Sequence, residues 1–339
     1  HMKRFFSKAL TCLALATASP ALAQDFSHGI SDGPLPWNDK PFDSAEDRFM
    51  FAIHSDLTGG ERPQVFEIAM AQLNLLRPEF VISVGDLIEG GDVDRTQHIK
   101  EWEEYDRRID TLKAPIFYVG GNHDLTSALA KEIWSERHGP TYYHFRYKDV
   151  LFLVLDAEDN TPERVEEIAA ARAKAGEVYK SDGPEAFAAT EYNKMPERSA
   201  GAISATQSQY FLDVIAANQD VRQAFVFVHK PVWEREGDVT FAPIEAALSE
   251  IPYKAFNCHE HVYVYRLRHG RDYIQLATTS GEQFPDKGMS EDHVTIVTVS
   301  GAEVDIATLM LEGIRDRTGE IPLGGGDVCF SVKDCGADR

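Results

Sequence analysis

The stretch that decides the fold reads IFYVGGNHD, residues 116–124. Its short apolar run is typical of a strand buried on both faces, and glycines and then polar residues follow that run directly. The stretches FVISVGD (80–86) and FMFAIHSD (49–56) have the same plan, an apolar run that ends in residues with carboxylate or imidazole side chains. Because loops at the carboxyl ends of strands in α/β sheets converge on a crevice, these polar residues are predicted to meet in one site.

Strand and helix signals alternate along this half of the chain. Two further apolar runs end at Leu155 and Val228, and residues 94–112 have the composition of a helix. A second helix is predicted between the runs that precede Asp56 and Asp86. Its apolar residues recur at i, i+3, i+4 and i+7 spacing, namely Phe66, Ala69, Met70 and Leu73. The alternation predicts βαβ units.

After His259 the pattern changes to closely spaced strands, which predicts a mostly antiparallel arrangement. The fold class indicated by both halves is α/β, a four-layer α/β/β/α sandwich of two mixed sheets. Residues 158–202 are polar and rich in Ala and Glu, and we expect a helical insertion over one face of this sandwich. Such an insertion either forms a lid over the site or is a passive surface decoration, and its residues do not decide between the two.

The ends of the chain carry signals of their own. Residues 1–23 have a basic start, an apolar run and a small-residue exit, which predict a signal peptide cleaved near Ala23 and a periplasmic or secreted protein. We expect an N-terminal extension over 24–48, one decorated domain over 49–315 and a tail over 316–339, where Cys329 and Cys335 would pair in an oxidising compartment. No later segment offers the roughly 20 apolar residues of a membrane span.

The charge balance restricts the partners. The formal net charge is −21, from 55 acidic and 34 basic residues, and no run of Lys and Arg forms a patch for nucleic acid phosphates. An acidic enzyme that acts on anionic substrates needs cations at its site, and bound metal would supply them.

Residues that can bind metal end each buried strand. Taken singly, an Asp after Gly is usually a turn or helix-cap residue, and a lone His is usually an ordinary surface or core side chain. Together they form a series along the chain, namely Asp56, Asp86, Asn122, His123, His229, His259 and His261. Five separate strands that each end in such a group are difficult to explain as coincidence, so the sequence predicts a metal site.

This series resembles the signature of the calcineurin-like metallophosphoesterases, in order Asp-x-His, Gly-Asp, Gly-Asn-His-Asp/Glu, His and Gly-His-x-His, over roughly residues 49–280. The resemblance implies a dinuclear centre in which Asp86 bridges both ions, with Asp56 and His261 on the first. It places the other ligands on the second ion, which are Asn122, His229 and His259. A hydroxide would attack phosphorus, while His123 would protonate the leaving oxygen or stabilise the transition state.

Two positions depart from that signature. Thr58 stands where the family has the His of Asp-x-His. The purple acid phosphatase branch of the family also lacks that His and uses a Tyr three residues after the bridging Asp instead. Here that offset holds Glu89, and we hypothesise that Glu89, His54 or a water fills the position. Cys258 replaces the Gly before His-x-His, and a buried, unreactive thiol is the favoured interpretation.

The cofactors expected are two divalent or trivalent ions, Mn, Fe or Zn, since mixed carboxylate, imidazole and amide ligands do not select sharply among them. His259 and His261 are predicted on one face of a strand, with Glu260 pointing away. Arg62, beside the first ligand, is a candidate for contacting a phosphate oxygen together with Asn122.

The function predicted is hydrolysis of a small-molecule phosphomonoester or phosphodiester. A phospholipid-headgroup or nucleotide phosphodiesterase is an alternative within the same class. A non-catalytic member that binds metal or a phosphorylated ligand is the alternative from another class, motivated by Thr58 and opposed by the retention of His123. The oligomeric state stays open.

Overall fold

The computed structural model describes residues 26–38, 48–91 and 94–335. The predicted signal peptide lies outside these residues. The strands, in chain order, are β1 (Phe26–His28), β2 (Arg48–His54), β3 (Phe80–Ser83), β4 (Ile116–Tyr118), β5 (Tyr143–Tyr147), β6 (Val150–Val154), β7 (Gln223–Phe227), β8 (Tyr253–Asn257), β9 (Val264–Arg268), β10 (Arg271–Gln275), β11 (His293–Ser300) and β12 (Glu303–Met310).

The strands form two mixed sheets. A five-stranded sheet has the order β12-β11-β2-β3-β4, and a seven-stranded sheet has the order β1-β5-β6-β7-β8-β10-β9. In the smaller sheet β2, β3 and β4 are parallel, and in the larger sheet β6, β7, β8 and β10 are parallel. The antiparallel prediction for the second half holds for the hairpins β9–β10 and β11–β12, but β10 runs parallel to β8 because it crosses over to pair with it.

The described residues form helices, some of which pack on the outer faces of the two sheets. They are α1 (Val65–Leu76), α2 (Arg95–Ile109), α3 (Ala128–His138), α4 (Pro162–Ala188), α5 (Pro196–Ser199), α6 (Ala205–Ala217), α7 (Ala242–Ala247) and α8 (Val332–Cys335). Ser and Thr side chains cap several of them; Thr161 Oγ1, for example, accepts the backbone N–H of Arg164 at the start of α4. Among the described residues, no helix combines the length and apolar character that a membrane crossing requires.

Three apolar clusters show how the layers pack. Phe51 and Phe80 of the smaller sheet face Phe152 of the larger sheet in a core between the two sheets. A second cluster lies between the smaller sheet and helices α1 to α3, and a third lies between the larger sheet and helices α6 and α7. The four-layer α/β/β/α prediction is confirmed, and it follows from the continuous apolar strands, which have two faces to bury.

Segment 158–202 contains α4 and α5. Helix α4 is bent at Gly183, which has a φ of 82°, and Pro184 follows that bend. A small apolar cluster of Ile168, Ala175 and Tyr192 lies beneath α4. In the tail, a disulfide joins Cys329 to Cys335.

Candidate metal centre

Loops after five strands of the two sheets bring the predicted ligands together. His229, directly after β7, places its Nε2 atom 3.1 Å from Asp86 Oδ2 and 3.2 Å from Asn122 Oδ1. Asp86 follows β3 and Asn122 follows β4, so both come from the smaller sheet, whereas His229 comes from the larger. The centre therefore lies where the carboxyl ends of the parallel strands of both sheets meet.

In each of four imidazoles of the site, one ring nitrogen lies within hydrogen-bond distance of a backbone carbonyl oxygen. His229 Nδ1 lies 2.8 Å from the carbonyl oxygen of Val84, and His261 Nδ1 lies 2.6 Å from that of Glu282. His123 Nδ1 contacts the carbonyl oxygen of Glu89 at 2.6 Å. A carbonyl oxygen only accepts, so each Nδ1 carries the proton and leaves its Nε2 lone pair free, as metal-binding imidazoles require.

His259 uses the opposite nitrogen. Its Nε2 lies 2.7 Å from the carbonyl oxygen of Arg198, in the short helix α5, and 2.8 Å from Nη1 of the same residue. Its Nδ1 is buried and has no hydrogen-bond partner. Asp86, His229 and His259 each offer one ligand atom, and these atoms lie within 4.8 Å of one another. A buried ring nitrogen with no hydrogen-bond partner beside a carboxylate is typical of a metal ligand, and these residues fit a metal ion.

The residues predicted for the first ion also fit, though with fewer ligands. His261 Nε2 lies 3.4 Å from Asp56 Oδ1, an oxygen that is buried and accepts no hydrogen bond. Asp86 is positioned between the groups, as its Oδ2 is also 4.0 Å from His123 Nε2. The structure thus brings together the seven residues of the predicted series.

The electrostatics of the centre favour a cation. Although burial acts to raise it, the neighbouring His229 and His123 hold the pKa of Asp86 well below its usual range. Burial opposes the charging of His229, but Asp86 outweighs that effect and raises the pKa of His229 well above its usual value. A proton on His229 Nε2 and a metal ion compete for the same lone pair, so the negative potential that binds the one also binds the other.

The predicted strand placement of His259 and His261 is wrong. Strand β8 ends at Asn257, and both histidines lie in the following loop with φ values of 79° and 53°. Left-handed φ is uncommon for residues with a Cβ and is maintained by surrounding contacts. Both rings reach the centre because the loop turns, not because side chains alternate on a strand. Glu260 between them pairs with Arg198 at 2.9 Å.

Asp124, within the motif but given no role by the sequence reasoning, ties two of the loops together. Its carboxylate accepts backbone N–H groups from Asp86, Leu87, Ile88 and Gly121. The side chain is fully buried. It thereby fixes the loop of Asp86 against the loop of Asn122.

Thr58, in the position of the missing imidazole, is not directed at an ion. Its hydroxyl donates to the carbonyl oxygen of Ile88 at 2.8 Å. Glu89 lies at the wall of the cavity, where a carboxylate oxygen accepts the backbone N–H of Gly59 at 3.2 Å and the other lies 3.9 Å from His123 Nδ1. Burial is the main cause that raises the pKa of Glu89.

His54, the other candidate for that position, lies on the far side of the sheet. Its ring packs edge-on against Phe66 of α1, with centroids 5.5 Å apart, and burial lowers its pKa to about 4. Strand β2 ends at His54, so strand alternation does not place the side chain of His54 on the same face as that of Asp56. Of the two side chains proposed to replace the missing ligand, Glu89 alone lines the cavity.

The predicted phosphate contact of Arg62 is also corrected. Its guanidinium pairs with the buried carboxylate of Asp292 at 2.5 Å and donates to the carbonyl oxygen of Cys329 at 3.0 Å. Arg62 is not among the residues that line the cavity. It therefore joins the loop after β2 to the C-terminal tail.

Cys258 is a buried thiol, as the favoured interpretation expected. Its Sγ donates to the carbonyl oxygen of Val84 at 2.8 Å, and burial raises its pKa. Lys230 points away from the centre, toward the insertion, where it pairs with Glu158 at 2.6 Å.

The insertion supplies residues to the site that the sequence reasoning missed. A cavity of about 1430 Å³ opens over the centre and is lined by Asn122, His123 and His259 together with residues of α4. Arg172 of α4 donates to the carbonyl oxygen of Asn122 and to Thr126 Oγ1, both at 2.5 Å. No local motif marks Arg172 or Arg198, because their roles arise from the packing of the insertion on the centre.

The sequence of the chain matches a protein-family model. A family model described as calcineurin-like phosphoesterase matches residues 51–263. No curated protein matches the chain in sequence.

Solved structures share the fold at low sequence identity. A dimetal phosphatase from Danio rerio matches with a TM-score of 0.54 and 13% identity, covering 77% of this chain and 96% of that one. The structure of PhoD matches with a TM-score of 0.51 and 12% identity, covering 78% and 69%. Purple acid phosphatase PPD1 from seeds of yellow lupin, Lupinus luteus, matches with a TM-score of 0.50 and 11% identity, covering 79% and 53%.

Proposed function

Because the chain belongs to the calcineurin-like phosphoesterase family, we propose that it hydrolyses phosphate esters at the centre around Asp86, with two metal ions as cofactors. The observation that carries the proposal is the anchoring of the imidazoles. His229, His259 and His261 each bind a carbonyl with one nitrogen and turn the other toward Asp86 or Asp56. Such pre-orientation is costly to maintain in a buried site unless the free nitrogens have a ligand.

The residues divide into two sets of ligands. One ion would be held by Asp86, Asn122, His229 and His259, a complete set for a borderline metal such as Mn, Fe or Zn. The other would be held by Asp56, Asp86 and His261, with Glu89 as the side chain placed nearest to complete it. When bound, the ions would supply Lewis acidity that activates water and offsets the charge of the phosphoryl oxygens.

His123 provides the proton chemistry in this proposal. Its Nδ1 proton is held by the carbonyl oxygen of Glu89, and its Nε2 lines the cavity 4.0 Å from Asp86. Since Nδ1 keeps its proton, the ring donates from Nε2 only as an imidazolium; burial lowers the pKa of His123 to about 4, and Asp86 acts in the opposite direction by favouring the charged ring. His123 would donate to the leaving oxygen or to a phosphoryl oxygen.

The substrate we propose is a small-molecule phosphomonoester or phosphodiester, and the N-terminal pattern supports action in the periplasm or outside the cell. The acidic protein surface repels free phosphate esters, so cations at the site would provide the attraction. A phospholipid-headgroup or nucleotide phosphodiesterase falls within the same chemistry.

A direct test uses the mature protein loaded in turn with Mn, Fe, Zn, Mg or Ca and assayed on nitrophenyl monoester and diester substrates. Turnover that disappears on chelation supports the proposal. His123→Ala is expected to lower kcat by about 100-fold or more while metal content is unchanged, as loss of a proton donor predicts. Bound metal without turnover of any ester would favour the non-catalytic binding protein instead.

A further inference from the structure

One face of α4 forms a wall of the cavity over the metal centre. The wall residues recur at helical spacing, and they include Glu166, Ala169, Ala170, Ala173, Gly176 and Lys180. Ala169, Ala170, Ala173 and Gly176 are small, so the space that larger side chains would fill at these positions is left open. The cavity of about 1430 Å³ exceeds the range of roughly 300–1,000 Å³ in which small-molecule sites usually fall.

The wall is held in a fixed position relative to the centre. Arg172 ties α4 to the carbonyl oxygen of Asn122, a predicted metal ligand. On its other face α4 packs on Tyr192 through Ile168 and Ala175. Near the end of the insertion, Glu197 accepts a hydrogen bond at 2.9 Å from Arg164, which lies near the start of α4. These contacts make the face of α4 a built part of the site rather than a loose surface helix.

The length of this wall indicates the size of what it contacts. Gly176 lies one helical turn beyond Arg172, which is about 6 Å farther along the axis of α4, and Lys180 lies about 12 Å farther along that axis. A phosphoryl group at the metal ligands would occupy only the near end of the cavity. The rest of the α4 lining combines Ala and Gly with Tyr179 and Phe187, and the ring of Phe284 lines the cavity beside His261.

We propose that this face of α4 is the subsite for a large, mainly apolar organic group esterified to the phosphate, so that the substrates are phosphate esters of extended, mainly apolar alcohols. The inference rests on the proposed phosphoesterase function and adds a substrate class to it. The Ala, Gly and aromatic lining residues would bind such molecules by burial of their apolar area, and Glu177 and Lys180 are charged residues in the same lining. Small polar alcohols would leave that area exposed to water.

Gly176→Leu tests the subsite with little risk to folding. No heavy atom lies within 4 Å of a Cβ built at Gly176, and its backbone is not in the left-handed region. Leu is also a better helix former than Gly by up to about 1 kcal/mol. The new side chain would fill the distal cavity and leave the near end open.

The experiment compares phenyl phosphate with 4-phenylazophenyl phosphate, or their methyl diesters if the wild type prefers diesters, using metal-loaded protein and phosphate or alcohol release. In Gly176→Leu the KM for the azo ester is expected to rise about tenfold, while that for the phenyl ester changes less than about twofold. The inhibition constant of free 4-hydroxyazobenzene against phenyl ester hydrolysis should rise in parallel. Gly176→Ala controls for helix propensity, and Lys174→Leu places the same side chain at an exposed position of α4 outside the cavity lining.

The outcomes separate the two proposals. Equal KM values for the azo ester in Gly176→Leu and the wild type, or equal losses on both esters, overturn the subsite and leave the phosphoesterase function standing. Absence of turnover of every ester by the metal-loaded wild type overturns the function and the subsite together.

Discussion

The Nε2 atom of His259 lies 2.7 Å from the carbonyl oxygen of Arg198 and 2.8 Å from its Nη1 atom, and the Nδ1 of His259, in the group with Asp86, has no hydrogen-bond partner. The other anchored imidazoles of the centre use carbonyls of the loops that follow the sheet strands. His259 instead depends on the insertion. The segment between β6 and β7 therefore contacts the residues of the candidate metal centre through Arg198 and Arg172.

Arg198→Ala is expected to lower the affinity for divalent metal by about tenfold, as loss of a partner that orients a ligand typically does. The change removes the ion pair of Arg198 with Glu260, which holds the carbonyl of residue 198 against His259. Calorimetric titration of the metal-free protein with Mn or Zn measures the affinity. Arg146→Ala removes a guanidinium with comparable ion pairs at the surface and should leave the affinity unchanged. Equal affinities of Arg198→Ala and the wild type would contradict the dependence of His259 on the insertion.

Glu89→Ala is expected to reduce the metal content from two ions to one, because Glu89 lies at the cavity wall beside Asp86 and His123. His54→Ala serves as the matched contrast, since His54 packs against Phe66 on the other side of the sheet. Metal content by mass spectrometry of protein dialysed against excess metal gives the ratio. Two ions per chain in Glu89→Ala would show that water, rather than Glu89, completes the first set of ligands.

Gly121→Ala is expected to lower kcat/KM by about 100-fold or more, the cost of misplacing reacting groups by about 1 Å. A Cβ at Gly121 would overlap the Asp86 carboxylate and backbone nitrogen. The assay is the nitrophenyl ester hydrolysis described above, together with circular dichroism to confirm folding. Gly313→Ala, at a position where a Cβ meets open space, is the control. If Gly121→Ala and the wild type had equal kcat/KM, the position of the Asp86 carboxylate would not matter for turnover, and the prediction would be wrong.

The lowered pKa of Glu197 predicts that part of the folding stability contributed by the insertion is lost in acid. Burial acts to raise its pKa, but hydrogen bonds from Arg164 and Arg235 outweigh burial and lower the pKa from 4.5 to about 2. Because the folded pKa lies below the unfolded one, the stabilisation is fully present above pH 4.5 and is lost as pH falls toward 2.

We therefore expect Glu197→Gln to destabilise the protein by about 2 kcal/mol at pH 7, and by less at pH 3. Denaturant unfolding in the presence of a chelator, at a series of pH values, measures the difference. Glu167→Gln, an exposed partner of the same Arg164, should cost less than about 0.5 kcal/mol at every pH. A difference between Glu197→Gln and the wild type that does not change with pH would refute the linkage.

The sheet strands and the ligands that follow them were predictable because the signal is local. Each apolar run that precedes Asp56, Asp86 or Asn122 is buried on both faces, and the polar residue comes where the run stops. The four-layer architecture follows, since strands buried on both faces need a second sheet on one side and helices on the other.

The remainder of the site depends on contacts between segments distant in the chain, which local patterns do not encode. The turn that carries His259 and His261 has left-handed backbone that no period-two pattern predicts. Arg172 and Arg198 come from helices whose composition reads as an ordinary surface. Arg62 was assigned to substrate from its position beside Asp56, but its partner is Asp292, which lies far along the chain.

The anchored imidazoles also bear on how the centre is supplied with metal. Rings that are already oriented by backbone carbonyls do not have to be rearranged when one ion leaves and another enters, so exchange changes the occupant and not the protein scaffold. Sites built from mixed nitrogen and oxygen ligands rank such ions mainly by intrinsic affinity and by supply. In the compartment that the N-terminal pattern predicts, where the cell controls metal levels less tightly, the composition of the surrounding medium would then set which ions the same polypeptide carries and how fast it works.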